Sequence, residues 1–262
     1  MLDTVQYVLG ALSGVVIGLT LGLVGGGGSI LALPLMVYVV GVPSAHTAIG
    51  TSALTVAVNA ALGLFQHARR GNVVWRCGGM FAAAGMAGAF LGSTVGKAVD
   101  GEKLLFLFAL LMIFVGGAML RRRAGNVDED VECDRTNAPK VIGFGAGTGL
   151  LSGFFGIGGG FLIVPALITS TGMPMFRAVG TSLVAVTAFG LTAAANYAAS
   201  GYVDWVLAIV LIAGGFIGSF AGTHLAGRLT GSGKLNTVFV TLVFGVAFYM
   251  MWHSLSASGM LS

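Results

Sequence analysis

Charged residues are widely spaced along the chain, and the stretches between them are almost continuously apolar. No Asp, Glu, Lys or Arg occurs in segments 4–68, 77–96, 104–120, 141–176, 178–203, 205–227 or 235–262. A helix needs about 20 predominantly apolar residues to cross the hydrocarbon core of a bilayer. Several of these segments hold one such helix, and the first and fourth hold more. The pattern therefore predicts an all-α polytopic membrane protein.

The chain also repeats itself. Segment 25–43 (GGGGSILALPLMVYVVGVP) reappears 131 positions later as segment 156–174 (GIGGGFLIVPALITSTGMP). Gly50-Thr51-Ser52 reappears 130 positions later as Gly180-Thr181-Ser182. A repeat of this length indicates duplicated structural units. We therefore predict a first transmembrane repeat at 1–121, a polar cytoplasmic linker at 122–139 and a second transmembrane repeat at 140–262.

Each half contains the same five apolar elements. A long helix (5–24; 141–156) precedes a glycine-rich break and a short element (29–40; 160–171) that ends at a Gly-x-Pro turn. Three longer helices follow (45–66, 74–96 and 104–120; 175–199, 204–227 and 235–253). The short element, about 12 residues long, is expected to be a half-helix or re-entrant segment. Its backbone N–H and C=O groups would then be hydrogen-bonded by surrounding protein or by water in a cavity. The chain then has eight membrane segments, or ten if the short elements cross.

The distribution of basic residues predicts the orientation. Loop 67–76, the start of the linker and loop 228–234 carry Lys and Arg, which favour the cytoplasmic side of a membrane. Loop 200–204 corresponds to loop 67–76 in the repeat but then lies outside, so the halves are predicted to be inverted repeats. Inverted repeats with interrupted helices are typical of secondary transporters, which bind their solute at the repeat interface.

Composition excludes several classes of protein. Hydrophobic residues make up 56% of the chain and charged residues 8%, against about 25% charged in soluble domains. A soluble enzyme, a disordered protein and a nucleic-acid binder are therefore excluded, and the expected surroundings are a lipid bilayer. No catalytic constellation is present, so the chain is not predicted to be an enzyme, and no metal site or cofactor is expected. Glycine-lined helix faces such as Gly14, Gly18 and Gly22 could support a homodimer.

The duplicated motifs suggest a site for a small anion. Glycine-rich backbone next to a helix start exposes N–H groups and a positive dipole end, and hydroxyls donate without adding charge. Gln66 and Asn196 correspond in the repeat and could line a pore. The alternative is structural, since the same residues also permit close helix packing. The predicted substrate-binding residues are Gly26, Gly27, Gly28, Ser29, Thr51, Ser52, Gln66, Gly158, Gly159, Gly160, Thr181, Ser182 and Asn196.

Two further features have mainly structural interpretations. Asn59 lies within a span and has no polar counterpart in the repeat, so we interpret it as an interhelical hydrogen-bond partner, with ligand binding as the alternative. Cys77 and Cys133 lie in different environments, one near a span start and one in the linker. They are predicted to be free thiols.

The paired glycine motifs, each followed by Pro34 or Pro165 and then by Gly-Thr-Ser, resemble the sulfite exporter TauE/SafE family, also called the toluenesulfonate uptake permease family. The resemblance covers residues from about 8 to 250. It implies a multi-pass permease of the bacterial inner membrane for sulfite or small organosulfur anions such as sulfonates, working in either direction.

Export is the expected direction. A membrane potential of 100 mV, inside negative, drives one negative charge outward by about 2.3 kcal/mol. Because the potential drives it, export needs no coupling ion, and the absence of any predicted carboxylate inside a span fits this. Uptake is the alternative and would require coupling, for which His46 or a protonated substrate is a candidate. A permease for another small anion or solute is the remaining alternative.

Overall fold

The computed structural model describes residues 3–121, 133, 137–156, 160–229, 245–246 and 248. All regular structure in these residues is helical, as predicted. The predicted helix at 235–253 falls almost wholly outside them. The helices are α1 (Thr4–Val24), α2 (Ala32–Pro34), α3 (Ala45–Arg69), α4 (Trp75–Lys97), α5 (Gly101–Arg121), α6 (Ala138–Phe155), α7 (Gly160–Thr171), α8 (Met175–Ala198) and α9 (Trp205–Leu229).

Five of the described helices, α1, α3, α4, α8 and α9, are long and apolar enough to cross a membrane. Their outward-facing surfaces carry large apolar side chains, including Phe220 at 69% exposure and Phe90 at 55%. In water such surfaces would be unfavourable, whereas lipid accommodates them. The all-α polytopic class is therefore confirmed.

The two short elements have different backbones. In the second half α7 is a continuous α-helix. In the first half a 3₁₀-helix (Gly25–Leu31) runs into α2 and a π-helix (Leu35–Val39). The expected break in the first half is therefore a change of helix type. Gly25 and Gly156, which follow α1 and α6, have φ values of +66° and +62°, a region that favours glycine.

Acidic side chains in the described part of the chain lie at helix starts. Asp3 accepts a hydrogen bond from the Thr4 N–H (2.7 Å), and Asp204 accepts one from the Leu207 N–H (3.0 Å). Asp100 accepts one from the Glu102 N–H (2.9 Å) in the first turn of α5. These contacts satisfy backbone donors that a helix start leaves free. The described spans accordingly contain no carboxylate.

Glycine brings helices of opposite halves into backbone contact. A Cβ at Gly18 of α1 would overlap the Gly215 backbone of α9, and a Cβ at Gly149 of α6 would overlap the Gly85 backbone of α4. Positions 18 and 149 correspond in the repeat, as do 85 and 215, so one contact occurs twice with the halves exchanged. The same overlap recurs at Gly14, Gly22, Gly145 and Gly153.

The corresponding helices α3 and α8 pack against each other in opposite directions. Gly50, near the start of α3, approaches the Tyr197 side chain near the end of α8. Gly63, further along α3, approaches Leu183 near the start of α8. The start of each helix therefore lies level with the end of the other.

Three chain segments meet at one end of this helix pair, which we call the basic end. Arg70 donates a hydrogen bond to the Thr223 carbonyl of α9 (2.9 Å). Cys133 of the linker joins Cys77 at the start of α4 in a disulfide, with the Cα atoms 5.4 Å apart. The loop after α3, the linker and the later part of α9 thus share one end, and these regions are the ones predicted to be cytoplasmic.

The disulfide corrects the prediction of two free thiols. Cys77 and Cys133 are 56 residues apart, and both are almost completely buried. Cys133 of the linker is bonded to the start of α4, a long-range contact that residue spacing does not reveal.

We expect Gly149→Ala to destabilise the protein by about 1–3 kcal/mol, because its methyl group would overlap the α4 backbone. Gly147→Ala is the matched control on the same helix, since no atom lies within 4 Å of a Cβ there. It should leave stability unchanged or slightly raised. Thermal unfolding in detergent measures both. Equal unfolding temperatures would contradict the close approach of α4 and α6.

We expect peptide mapping of the purified, unreduced protein to recover one cross-linked peptide pair containing Cys77 and Cys133. Alkylation should modify both residues only after reduction, and Cys77→Ser should leave Cys133 open to alkylation without reduction. A disulfide between two chains, seen as a dimer on a non-reducing gel, would contradict the intramolecular pairing.

Candidate functional site

The hydroxyls of Thr51 and Thr181 join the two halves. Thr51 on α3 accepts a hydrogen bond from the Asp204 N–H (2.9 Å), immediately before α9. Thr181 on α8 accepts one from the Val74 N–H (3.0 Å), immediately before α4. Both threonines are fully buried. Each one therefore holds the start of a long helix that belongs to the other half.

The glycine before each threonine permits this contact. A Cβ at Gly50 would overlap the Tyr202 carbonyl, and a Cβ at Gly180 would overlap the Asn72 carbonyl. The loops that lead into α9 and α4 therefore rest directly on the α3 and α8 backbones. Glycine is required here by close approach, since its backbone conformation is helical.

The serine after each threonine donates its hydroxyl proton to a helix carbonyl. Ser52 donates to the Ile49 carbonyl (2.9 Å) and lies 3.5 Å from the Gly156 carbonyl of the other half. Ser182 donates to the Val179 carbonyl in its own helix (2.8 Å). These hydroxyl protons are engaged with carbonyls, so an anion would have to displace a carbonyl to receive them.

The glycine-rich segments contact the same helix starts. Gly156, at the end of α6, approaches Ile49 of α3, and Gly25, at the end of α1, approaches Val179 of α8. The structure therefore brings the glycine segment of each half against the Gly-Thr-Ser motif of the other half.

The remaining predicted glycines are only partly described. Gly26 and Gly27 lie in the 3₁₀-helix, and the Gly28 carbonyl accepts a hydrogen bond from Thr20 (3.3 Å). Ser29 is fully buried and has a partner of its own. Gly160 is the buried first residue of α7. Gly158 and Gly159 lie outside the described residues.

The two Gly-Thr-Ser motifs lie at opposite ends of the helix pair. Gly180 packs against His67 near the end of α3, so Thr181 is level with Gln66. Gln66 is 15 positions from Thr51 along α3, a separation of about 22 Å at 1.5 Å per residue. The structure therefore forms two equivalent polar clusters, and the two helix starts do not face each other across a single site.

Asn196 and Gln66 lie at these two ends as well. The Asn196 amide donates to the hydroxyls of Ser93 (2.6 Å) and Thr94 (2.9 Å), and its Oδ1 accepts from Lys97 (2.8 Å). Near the end of α8, Asn196 is level with the Thr51 cluster. Gln66 is partly buried near the Thr181 cluster.

Five residues in the described part of the chain have buried polar atoms without a hydrogen-bond partner: Asn59, His67, Ser152, Tyr197 and Ser219. Both amide atoms of Asn59, both ring nitrogens of His67 and the Ser219 hydroxyl are unpaired. The interpretation of Asn59 as an interhelical hydrogen-bond partner is therefore wrong. His67 and Ser219 were missed from the sequence. The available signal for Ser219 was its repeat counterpart Ala89, because a polar residue in only one half departs from the symmetry.

The described residues offer neutral donors and no group of metal-binding side chains. Hydroxyls, backbone N–H groups and amides can bind an oxyanion, and Arg70 and Lys97 supply positive charge near the two ends.

The comparisons with known proteins agree with this description. Residues 10–250 match the family described as Sulfite exporter TauE/SafE. A probable membrane transporter protein of Xylella fastidiosa is 50% identical over 249 residues, which cover 92% of this chain and 94% of the relative. The probable membrane transporter protein YdhB of Bacillus subtilis is 25% identical over 228 residues, covering 86% and 92%. No solved structure matches.

The relatives' names indicate a transporter rather than an enzyme, and the family match extends over nearly the whole chain. Together with the apolar helices, it shows that the chain is a multi-pass membrane transporter and belongs to the sulfite exporter TauE/SafE family.

Proposed function

We propose that this transporter is a permease for sulfite or a small organosulfur anion such as a sulfonate, and that it exports the anion. The observation that carries the proposal is the pair of equivalent contacts, Thr51 to Asp204 and Thr181 to Val74, at opposite ends of α3 and α8. A transporter needs a closure at each end of the solute path, and these contacts supply two closures of the same construction.

Each closure is weak enough to open during transport. A neutral hydrogen bond contributes about 0.5–1.5 kcal/mol net. When the contact at Thr51 separates, the Asp204 N–H is released as a donor and the Thr51 hydroxyl oxygen as an acceptor. The antiparallel arrangement of α3 and α8 supports inverted repeats, in which one closure opens as the other forms.

The anion would bind to neutral donors at each end in turn. At one end these are Thr51, Ser52 and the segment at Gly158, Gly159 and Gly160, with Asn196 nearby. At the other end they are Thr181, Ser182 and the segment from Gly26 to Ser29, with Gln66 nearby. A helix start such as that of α7 adds the positive end of its dipole.

The electrostatics favour export. The described carboxylates lie at helix starts, so no acidic coupling group is found in the described spans. An inside-negative potential drives a monovalent anion outward by about 2.3 kcal/mol per 100 mV. Arg70 is exposed at the basic end, which the distribution of basic residues assigns to the cytoplasm, so it would attract anions to the inner mouth.

We expect purified protein in proteoliposomes to carry sulfite or methanesulfonate at a rate that follows a clamped membrane potential. Sulfate serves as the comparison anion, and empty liposomes give the leak. Flux of the charged substrate that ignores the potential would contradict uncoupled export. Absence of flux for both sulfur anions would remove the substrate assignment.

We expect Thr51→Val and Thr181→Val each to lower the flux at least about tenfold, because each leaves a backbone N–H of the other half unpaired. Thr51→Ser should retain most of the flux, since it keeps the hydroxyl. Thr187→Val is the matched control on α8, because the Thr187 hydroxyl donates to the Leu183 carbonyl in its own helix (2.7 Å). Normal flux in both valine variants would show that these closures are not needed.

A further inference from the structure

A line of unpaired polar side chains runs through the interface of α1, α3 and α9. Asn59, His67 and Ser219 are fully buried, and none makes a hydrogen bond in the described part of the chain. The Gly22 backbone of α1 lies near the His67 ring without hydrogen-bond geometry. Unpaired polar groups inside a membrane are costly, so three in one interface call for an explanation.

Asn59 and Ser219 share one space between α3 and α9. A Cβ at Gly215, one turn before Ser219, would overlap the Asn59 amide. A Cβ at Gly63, one turn after Asn59, would lie 3.7 Å from the Ser219 hydroxyl. The two polar groups are therefore neighbours at about the middle of α3, and the residues beside them are glycines.

His67 and Arg70 continue the line towards the basic end. His67 is two turns after Asn59 on α3, and its ring lies 5.9 Å from the ring of Phe176 of α8. Arg70 follows His67 by three residues, and its guanidinium is hydrogen-bonded to the Thr223 carbonyl one turn after Ser219. The line therefore leads from mid-helix to an exposed arginine.

The other half has no polar counterpart of the Asn59 and Ser219 pair. The repeat counterparts of Asn59, Ser219 and His67 are Phe189, Ala89 and Tyr197. Phe189 and Phe81 stack with their ring centroids 6.1 Å apart. Phe189 and Ala89 fill the positions of Asn59 and Ser219, so the helix packing itself does not require that polar pair. At the position of His67 the other half has the Tyr197 hydroxyl, which is also buried and unpaired. The presence of the polar pair in one half points to a ligand.

We infer that Asn59 and Ser219 bind the transported anion at mid-depth, and that His67 and Arg70 form its approach from the basic end. The inference rests on the proposed anion transport. The Asn59 amide and the Ser219 hydroxyl offer donors to oxyanion atoms, and His67 offers another along the approach. A cation would meet the positive charge of Arg70, and the described carboxylates cap helices elsewhere.

The inference is tested by sulfite binding to the purified full-length protein, measured by isothermal titration calorimetry in detergent. Ser219→Ala and Asn59→Leu should each weaken binding at least about tenfold. Ser152→Ala on α6 is the matched control, because it also removes a buried, unpaired hydroxyl but lies outside the line. It should bind sulfite as the wild type does. All three changes remove groups that lack partners, so folding should survive, as thermal unfolding would show.

Each outcome decides the inference. Wild-type affinity in both Ser219→Ala and Asn59→Leu would overturn it, as would an equal loss in Ser152→Ala. The same titrations with methanesulfonate, sulfate, nitrate and thiocyanate separate the site from the substrate assignment. Selective binding of another anion with the same variant losses would support the site and remove sulfite as the substrate. Binding of none of these anions would overturn the site. So would a binding signal that disappears when the sodium salt of the anion is replaced by the choline salt, because the signal would then come from sodium.

Discussion

Contact between helix backbones, made through glycine, is the constraint on which the rest of this structure depends. Lipid is as apolar as the side chains, so burying apolar surface does little to join helices in a membrane. Close packing must supply the attraction, and Gly18 on Gly215 and Gly149 on Gly85 bring two backbones together. These contacts tie α1 to α9 and α4 to α6, so neither half completes its own packing.

Because helices of one half pack against helices of the other, the contacts that occur in both halves lie between the halves. Thr51 and Thr181 each accept a hydrogen bond from the residue immediately before a long helix of the other half. The glycine before each threonine allows the loop that leads into that helix to pack directly against α3 or α8. The contacts are polar but carry no charge. A closure of this kind can be desolvated in a membrane and still separate at modest cost.

Departures from the repeat are as informative as the repeat. Where both halves have the same residue, the shared packing explains it. Where Asn59 and Ser219 stand opposite Phe189 and Ala89, packing gives no reason for the polar pair. A symmetric scaffold can open towards either side, and the membrane potential sets the direction in which an anion flows. The unpaired polar line distinguishes the two halves by what they can bind.

Much of this protein could be predicted from the sequence, because helix length, apolar composition and duplication are local or periodic properties. The long helices of the described region begin and end within a few residues of expectation, and the Gly-Thr-Ser motifs were recognised. Only the tertiary structure shows that Thr51 and Thr181 lie at opposite ends of the α3–α8 pair, that Cys133 reaches Cys77, and that Asn59 has no partner. These features depend on which helix faces pack together. In helices that are apolar on nearly every side, close packing of the backbones decides which helices pair, and hydropathy and residue spacing do not predict that packing.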